Sequence, residues 1–473
     1  MSQFLIRNAL LPTITSTDTA ATPEPGWRHA RRGTSLSEVH ASIPMPGAGA
    51  TFWQRFRAYW GPGLLVAVGY MDPGNWATDL AGGARFGYTL LSVVLISNLF
   101  AMLLQHLAAK LGIVTGRDLA QACRDHYSKP VAVALWVLCE IAIAACDLAE
   151  VIGSAIALNL LFGLPLPWGV AITTLDVLLV LLMQNKGFKL IESLVAALIF
   201  LIFACFLYEI IASHPDWLGL AKGLVPQLEV VTNPGMLYVA IGILGATVMP
   251  HNLYLHSSIV QVRQIEPTET GKRQAVKFAT IDSTVALFLA FFVNAAILVT
   301  AAAAFHGKGH EDVADIADAH KLLTPVLGAG AASVLFAIAL LASGQSSTLT
   351  GTLAGQIVME GFLNLRLKPW VRRLITRLVA VVPALVVAIL YGEKGTGQLL
   401  VFSQVVLSLQ LSFAVVPLVL FTNDKVKMGV FVNRPWVRIL SWAVAGLIIA
   451  LNVFLLWETV AEWLKPLFGS VSG

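Results

Sequence analysis

The sequence predicts an all-α protein that crosses a membrane many times. Of its 473 residues, 57% are hydrophobic and only 12% are charged, and the mean hydropathy is +0.77. These values are too apolar for a soluble protein of this length. Apolar windows of about 20 residues, the length that a helix needs to cross a bilayer, recur eleven times along the chain. Proline-containing strings interrupt the first and the sixth window, so we expect a polytopic membrane protein with two broken helices.

The eleven windows form two groups of five and a single last helix. We expect helices 1 to 5 within about 59–213, helices 6 to 10 within about 235–422, and helix 11 at about 438–460. The windows cover 59–84, 88–111, 131–161, 167–185, 190–213, 235–263, 276–305, 323–361, 370–391, 397–422 and 438–460. Because five helices cross the membrane an odd number of times, the second group begins from the opposite side, which predicts an inverted repeat. Broken helices at corresponding positions of two such repeats predict a binding site near the middle of the membrane.

The basic residues indicate the orientation, because cytoplasmic loops carry the excess of Lys and Arg. With the N-terminus inside, 25 of the 31 Lys and Arg residues lie on the cytoplasmic side, and the exceptions are Arg85, Lys222, Lys308, Lys321, Lys394 and Lys465. This asymmetry predicts a cytoplasmic N-terminus and an extracytoplasmic C-terminus. The net charge of +4 therefore reflects topology and gives no support to nucleic-acid binding.

The N-terminal region differs in composition from the rest of the chain. Residues 1–50 are rich in Thr, Ser, Pro and Gly and lack the apolar stretch of a signal peptide. We expect a disordered cytoplasmic tail there and a membrane domain over 51–473. The four cysteines form neither a disulfide framework nor a zinc-binding pattern, and we interpret them as packing residues: Cys123, Cys139, Cys146 and Cys205.

The first break is the string Asp72-Pro-Gly-Asn75 in helix 1. In a soluble protein these residues would form a turn, because Pro fixes one backbone position and Gly and Asn tolerate the next. Here the flanking residues are apolar, so the turn falls inside the bilayer, where irregular backbone is tolerated only against protein or a polar cavity. An Asp at that depth costs roughly 2.5–3.5 kcal/mol on insertion scales. We therefore favour a binding site over a structural kink.

The second break, Ala246-Thr-Val-Met-Pro-His251, lies in helix 6. A Met in a membrane helix is usually a packing residue, but Met249 sits at the break that faces the first one under the repeat. The oxygens of Asp72 and Asn75 suit any divalent cation, whereas a thioether favours softer first-row metals over Mg²⁺ and Ca²⁺. The set predicts a site for Mn²⁺, Fe²⁺ or a similar ion. His251 is either a further ligand or a proton carrier, and we favour the proton carrier.

Helix 3 carries three acidic residues, Glu140, Asp147 and Glu150, at spacings of seven and three that place them on one helix face. They form buried ion pairs with Arg372 and Arg373 of helix 9, or they carry protons from the site toward the cytoplasm. The two interpretations are compatible.

Other polar residues within the predicted helices are weaker signals. Gln404 in helix 10 is a candidate to reach the ion. We interpret the others as contacts between helices or at the gates: Gln105, Asp176, Glu192, Glu209, His256, Asp282, Asn294 and Asn452.

The motifs resemble those of the Nramp (natural resistance-associated macrophage protein) family, and more narrowly its bacterial proton-dependent manganese transporters. The resemblance covers essentially the whole chain after residue 50 and includes a third string, Ser343-Gly-Gln-Ser-Ser-Thr-Leu-Thr-Gly-Thr352. It implies a leucine-transporter-like fold, alternating access, and symport of a divalent metal with a proton across the bacterial inner membrane. The lipid bilayer, the metal ion and the proton are the expected partners. Neither a cofactor nor an obligatory protein partner is implied.

The resemblance also implies roles for individual residues. The metal ligands would be the side chains of Asp72, Asn75 and Met249 and the carbonyl of Ala246, with Gln404 joining in one state. Gly69, where relatives often have Ala, would contribute only its backbone carbonyl. For the proton, the resemblance implies that Asp72 is the first acceptor and that His251 is a neighbour in coupling. The onward route would run through Asp147 and Glu150, with Arg373 and Glu140 further along.

Three other classes of function are weighed against this one. A cation channel needs rings of acidic or carbonyl groups, usually from identical subunits, and nothing in the sequence resembles one. An organic-solute carrier of the same fold, such as an amino-acid carrier, needs an unwound helix that holds a carboxylate, which the acidic Asp72 disfavours. An intramembrane enzyme needs a nucleophile or paired aspartates in a suitable motif, and we find none. We do not expect an enzyme.

Overall fold

The structure is a computed structural model that describes residues 22–47, 49–173, 175, 188–309, 316–327, 331–365 and 369–468. Over these residues it is helical, without a named β-strand. Eight of the described helices are long and apolar enough to cross a membrane, and two shorter apolar ones cover Pro62–Met71 and Arg377–Gly392. The predicted multi-pass all-α class is confirmed. Most of predicted helix 4 lies outside the described residues.

The membrane helices keep the numbers of the prediction, and each broken helix is divided into halves a and b. They are 1a Pro62–Val68, 1b Pro73–Phe86, 2 Leu91–Thr115, 3 Lys129–Phe162, the start of 4 Leu166–Thr173, 5 Phe188–Ser213, 6a Pro234–Thr247, 6b Pro250–Ile259, 7 Glu269–Phe305, 8 Ala332–Leu363, 9 and 10 together Pro369–Thr422, and 11 Pro435–Phe468. Helices 9 and 10 are separated by Gly392, whose φ of 61° is not helical. Short helices connect them: Phe52–Tyr59, Leu119–His126, Trp217–Gly223, Glu229–Thr232, Ile316–Leu327 and Lys425–Met428.

Local sequence makes both breaks. Pro73 and Pro250 begin helices 1b and 6b, and a proline is well tolerated there because its missing N–H would have no partner in the first turn. Asp72 has extended backbone, and its side chain caps helix 1b by accepting from the N–H of Asn75. Met249 likewise has extended backbone before helix 6b. Both helices are interrupted where the sequence predicts.

The break in helix 1 is packed tightly against its neighbours. Trp76 in helix 1b is fully buried, and its ring centroid lies 4.9 Å from that of Phe206 in helix 5 and 5.1 Å from that of Phe336 in helix 8. Gly153 of helix 3 allows a close approach, since a methyl group there would come within 2.3 Å of the Pro73 ring. Helix 3 itself packs against helices 8, 9 and 10. The acidic face of helix 3 is thereby placed beside the first break.

Residues 22–47 pack on the loops at one end of the bundle, which differs from the disordered tail that we expected. Trp27 is buried, and the guanidinium of Arg117 lies 4.5 Å from the centre of its ring. The N–H of Leu36 donates to Glu360 Oε2 at 2.8 Å. Composition favoured disorder because it does not report such contacts with distant loops.

Trp27→Ala is expected to destabilise the protein by about 3 kcal/mol, because it removes a buried aromatic ring together with its cation–π contact. The measurement is the midpoint of thermal unfolding in detergent. Trp53→Ala is the matched control, since Trp53 is 68% exposed. Equal shifts for the two variants would show that residues 22–47 do not hold the loops.

Candidate metal site between the two broken helices

The breaks in helices 1 and 6 meet at the side chain of Asn75, which is buried together with Asp72. Asp72 Oδ1 accepts hydrogen bonds from the backbone N–H of Asn75 at 3.0 Å and from Asn75 Nδ2 at 2.6 Å. The same Nδ2 donates to the carbonyl of Ala246 at 3.0 Å. The carboxylate oxygen of Asp72 and the carbonyl oxygen of Ala246 therefore face the same position. The side-chain amide of Asn75 occupies this position, which also suits a cation.

Met249 and Gln404 lie at the same junction. Met249 is fully buried and packs against Cys146 of helix 3 and Leu407 of helix 10. Gln404 lies directly on the first break, because a methyl group at Gly74 would come within 1.8 Å of its Nε2. The structure therefore brings the expected helix 10 residue to the break.

Gly69 lies in the 3-10 turn that leads into the first break. Side chains of other helices hold the carbonyls on either side of it. Asn294 Nδ2 donates to the carbonyl of Tyr70 at 2.8 Å, and Ser347 Oγ donates to that of Val68 at 3.4 Å. These hydrogen bonds fix the backbone on both sides of Gly69, whose own carbonyl is an expected metal ligand.

Two oxygens at the junction have no hydrogen-bond partner among the described residues: Asp72 Oδ2 and Gln404 Oε1. An unsatisfied acceptor in a buried position costs about 1–3 kcal/mol, and most buried polar atoms in proteins have a partner. Within the described residues, no group of three or more His, Cys, Asp and Glu is placed to hold a metal. The junction instead offers one carboxylate with amide, carbonyl and thioether groups, the donor set that the sequence predicts.

The acidic residues of helix 3 lie next to this junction. Glu150 is fully buried and accepts from Thr348 Oγ1 at 3.0 Å. Arg377 of helix 9 places its Nη1 3.7 Å from Glu150 Oε2, and its Nη2 donates to Thr348 Oγ1 at 3.3 Å. Glu150 therefore takes part in a buried ion pair between helices 3 and 9, as one interpretation of the sequence expected, but with a different arginine.

The arginines that we expected near the acidic residues were Arg372 and Arg373, whose side chains lie outside the described part of the structure. Arg377 stands four residues after Arg373, one turn along the same face of helix 9. Sequence analysis assigned it only to the topology. Its sequence context indicates a role, because Arg377 lies within a predicted membrane helix, and an arginine there needs a buried partner.

His251 and Cys146 connect the metal junction with the acidic pair. His251 Nε2 lies 3.7 Å from Cys146 Sγ, which in turn lies 3.7 Å from Glu150 Oε1. Both side chains are buried. Cys146, which we interpreted as a packing residue, therefore also links two polar groups, and no spacing rule in the sequence indicates this.

Comparison with known proteins decides the family. The profile of the natural resistance-associated macrophage protein-like (Nramp) family matches residues 63–458. The chain belongs to the Nramp family. Its members are transporters and not enzymes, so the expectation of a non-enzymatic metal transporter is confirmed.

Similar Nramp proteins are named divalent metal cation transporter MntH. The protein of Listeria innocua serovar 6a is 63% identical over 436 residues, which cover 92% of this chain and 97% of that protein. The protein of Nostoc sp. is 61% identical over 430 residues, which cover 91% of this chain and 97% of that one.

Solved structures support the same fold. The manganese transporter of Eremococcus coleocola is 43% identical, with a TM-score of 0.85 over 93% of both chains. Mhp1, a nucleobase-cation-symport-1 family transporter, is 16% identical, with a TM-score of 0.53 over 90% of this chain and 96% of that one. The second likeness concerns the fold alone and agrees with the leucine-transporter-like architecture that the Nramp resemblance implied.

The remaining polar residues of this Nramp protein differ in the contacts that they make. Six make the expected contacts between helices: Gln105, Glu192, His256, Asp282, Asn294 and Asn452. Glu209 is buried, and its carboxylate oxygens have no hydrogen-bond partner among the described residues. Glu140, two turns from Asp147 on helix 3, accepts from Trp136 Nε1 at 3.1 Å. Asp176 lies outside the described residues.

Proposed function

We propose that this Nramp protein carries Mn²⁺, and also Fe²⁺ and similar ions, into the cytoplasm together with protons by alternating access. It lies in the bacterial inner membrane with its N-terminus in the cytoplasm and its C-terminus outside. It works without a cofactor or an obligatory protein partner. The names of the MntH relatives and of the Eremococcus coleocola manganese transporter support the metal substrate.

One observation carries the proposal: Asp72 Oδ2 is buried without a hydrogen-bond partner among the described residues, at the junction of both breaks. We assign the remaining ligand positions to the side chains of Asn75, Met249 and Gln404 and to the carbonyls of Ala246 and Gly69. Asn75 Nδ2 now bonds two of the ligand oxygens. Metal binding requires this amide to turn, so that Asn75 Oδ1 faces the ion.

The thioether of Met249 sets the class of metal. Carboxylate and amide oxygens bind Mg²⁺ and Ca²⁺ as readily as Mn²⁺, whereas sulfur binds the softer ions better. Met249 is fully buried, so its side chain is shielded from bulk water. We infer that the protein selects transition metals through this one contact.

Protons follow a second route through helix 3. Asp72 accepts the proton, His251 assists its transfer, and Asp147 and Glu150 carry it onward toward Glu140. Support comes from the chain of contacts from His251 through Cys146 to Glu150. Arg377 forms a buried ion pair with Glu150 on this route, with its Nη1 3.7 Å from Glu150 Oε2, and we propose Arg373 further along.

The test is uptake of Mn²⁺ into proteoliposomes that contain both a metal-sensitive and a pH-sensitive dye. We expect saturable Mn²⁺ and Fe²⁺ uptake with acidification of the interior, and little uptake of Mg²⁺. Metal uptake without acidification would refute symport. Non-saturable uptake with an ionic current would favour a channel instead.

Glu150→Gln is expected to leave Mn²⁺ binding near the wild-type value and to remove most of the metal-driven acidification. The amide keeps the hydrogen bond with Thr348 but cannot take up a proton. Binding is measured by calorimetry and acidification in the same proteoliposomes. Glu192→Gln is the matched control, because Glu192 is also a buried ion-paired carboxylate, bonded to Arg263 at 2.6 Å away from the site. If Glu150→Gln acidifies the interior as the wild type does, the route does not pass through helix 3.

A further inference from the structure

Asn252 in helix 6b is a buried polar residue that none of the contacts above explains. Its exposed fraction is 0%, and neither its Nδ2 nor its Oδ1 has a hydrogen-bond partner among the described residues. A carboxamide offers two donors and an acceptor with two lone pairs, and leaving such groups unpaired in a buried position costs about 1–3 kcal/mol. An apolar side chain of the same size would avoid this cost. Among the described residues, the amide therefore has no fixed protein partner.

The amide lies on the backbone turn that leads to Asp72. A methyl group built on Gly69 would come within 2.1 Å of Asn252 Nδ2 and 3.0 Å of its Oδ1. Asn252 also stands in the first turn of helix 6b, three residues after Met249, which directly precedes that helix. The carboxamide thus lies against Gly69 and close along the chain to Met249, two residues of the candidate metal site.

The position of Asn252 along the bundle shows on which side of the candidate metal site it lies. Gly69 precedes Asp72 on the side of helix 1a, and Asn252 follows Met249 on the side of helix 6b. Both half-helices lead toward the end of the bundle that residues 22–47 cover, which we place in the cytoplasm. Asn252 therefore lies beside the turn that leads to Asp72, on the side of the break that faces that end.

We propose that Asn252 Oδ1 is an exit ligand, an oxygen that binds the divalent cation as it leaves Asp72 toward the cytoplasm. This inference rests on the proposed function and extends it by one step. A neutral amide oxygen suits Mn²⁺ and holds it less tightly than a carboxylate, as release requires. Because residue 69 is a glycine, no side chain fills the space that the Asn252 amide occupies.

Asn252→Leu tests the inference, because it keeps the approximate volume and removes both polar atoms. We expect the maximal rate of Mn²⁺ uptake in proteoliposomes to fall about tenfold, with Mn²⁺ binding in calorimetry close to wild type. We expect thermal stability to be unchanged or higher, since an unpaired amide is removed. A wild-type rate would overturn the inference.

Two further variants complete the test. Asn252→Asp keeps an oxygen, so it is expected to bind Mn²⁺ more tightly than the wild type and to transport faster than Asn252→Leu. Mn²⁺ binding by Asn252→Asp that equals the wild-type value would overturn the inference, and this comparison also decides if Asn252→Leu does not fold. Tyr254→Phe, which removes a polar atom from a buried residue of the same helix, is expected to transport like wild type. A wild-type protein without Mn²⁺ uptake would refute the proposed function itself, which separates the two failures.

Discussion

Asp72→Asn is expected to abolish Mn²⁺ uptake and to lower Mn²⁺ binding by at least about 100-fold. The carboxylate is the only charged group among the proposed ligands, and Coulomb attraction to a divalent ion is strong in a buried site. Asn is as good a helix cap as Asp, so helix 1b and the bond network with Asn75 remain. The loss would therefore report the missing charge rather than a broken fold.

The measurements for Asp72→Asn are proteoliposome uptake and calorimetry, with thermal unfolding as a check on folding. We expect unfolding at the same or a higher temperature than the wild type, because a buried carboxylate with an unpartnered oxygen is removed. Asp79→Asn is the matched control: Asp79 is 1% exposed and lies two turns further along helix 1b. Uptake by Asp72→Asn at the wild-type rate, or an equal loss in Asp79→Asn, would refute the assignment of Asp72.

The two breaks could be predicted from the sequence because their causes are local. Pro73 and Pro250 stand at the first positions of helices 1b and 6b, where a proline favours the start of a helix. Asp72 caps helix 1b directly before its proline. The sequence also predicts that the two breaks lie together, because they occupy corresponding positions in the two five-helix repeats. The sequence therefore predicts which residues approach one another at the junction, although it does not give their distances.

The arginine near Glu150 could not be predicted in the same way. Arg377 stands one turn beyond Arg373 on helix 9, and the depth of that helix beside helix 3 brings Arg377 to the carboxylate. Four residues correspond to about 6 Å along the axis, which is as large as the error of a window boundary. The depth depends on how helices 3, 8 and 9 pack together.

The N-terminal segment and Asn252 show a second limit. Composition predicts whether a segment can form a core of its own, but residues 22–47 pack on loops from elsewhere in the chain, as the contact of Trp27 with Arg117 shows. Asn252 directly follows the second break motif, but neither its spacing nor the family resemblance assigned it a role. Only its burial without a partner, visible in three dimensions, distinguishes it from a contact between helices.

Met249→Ala is expected to preserve part of the Mn²⁺ uptake and to make Ca²⁺ a better competitor by about tenfold, which corresponds to about 1.4 kcal/mol of lost discrimination. The oxygens of Asp72, Asn75 and Ala246 remain, and these suit hard and soft ions alike. Water that enters the space of the side chain would replace sulfur with a further oxygen. Selectivity should therefore fall more than activity does.

Met249→Leu separates the sulfur from its volume. Leucine fills nearly the same space but offers no ligand, and Met249 packs against apolar neighbours that include Leu407. If the thioether selects the metal, both variants lose discrimination between Mn²⁺ and Ca²⁺ in competition uptake, although Met249→Leu admits less water. If only Met249→Ala loses it, the side chain acts by excluding water, and the sulfur is not the selective group. Unchanged selectivity in both variants would leave the discrimination to the geometry of the oxygen ligands.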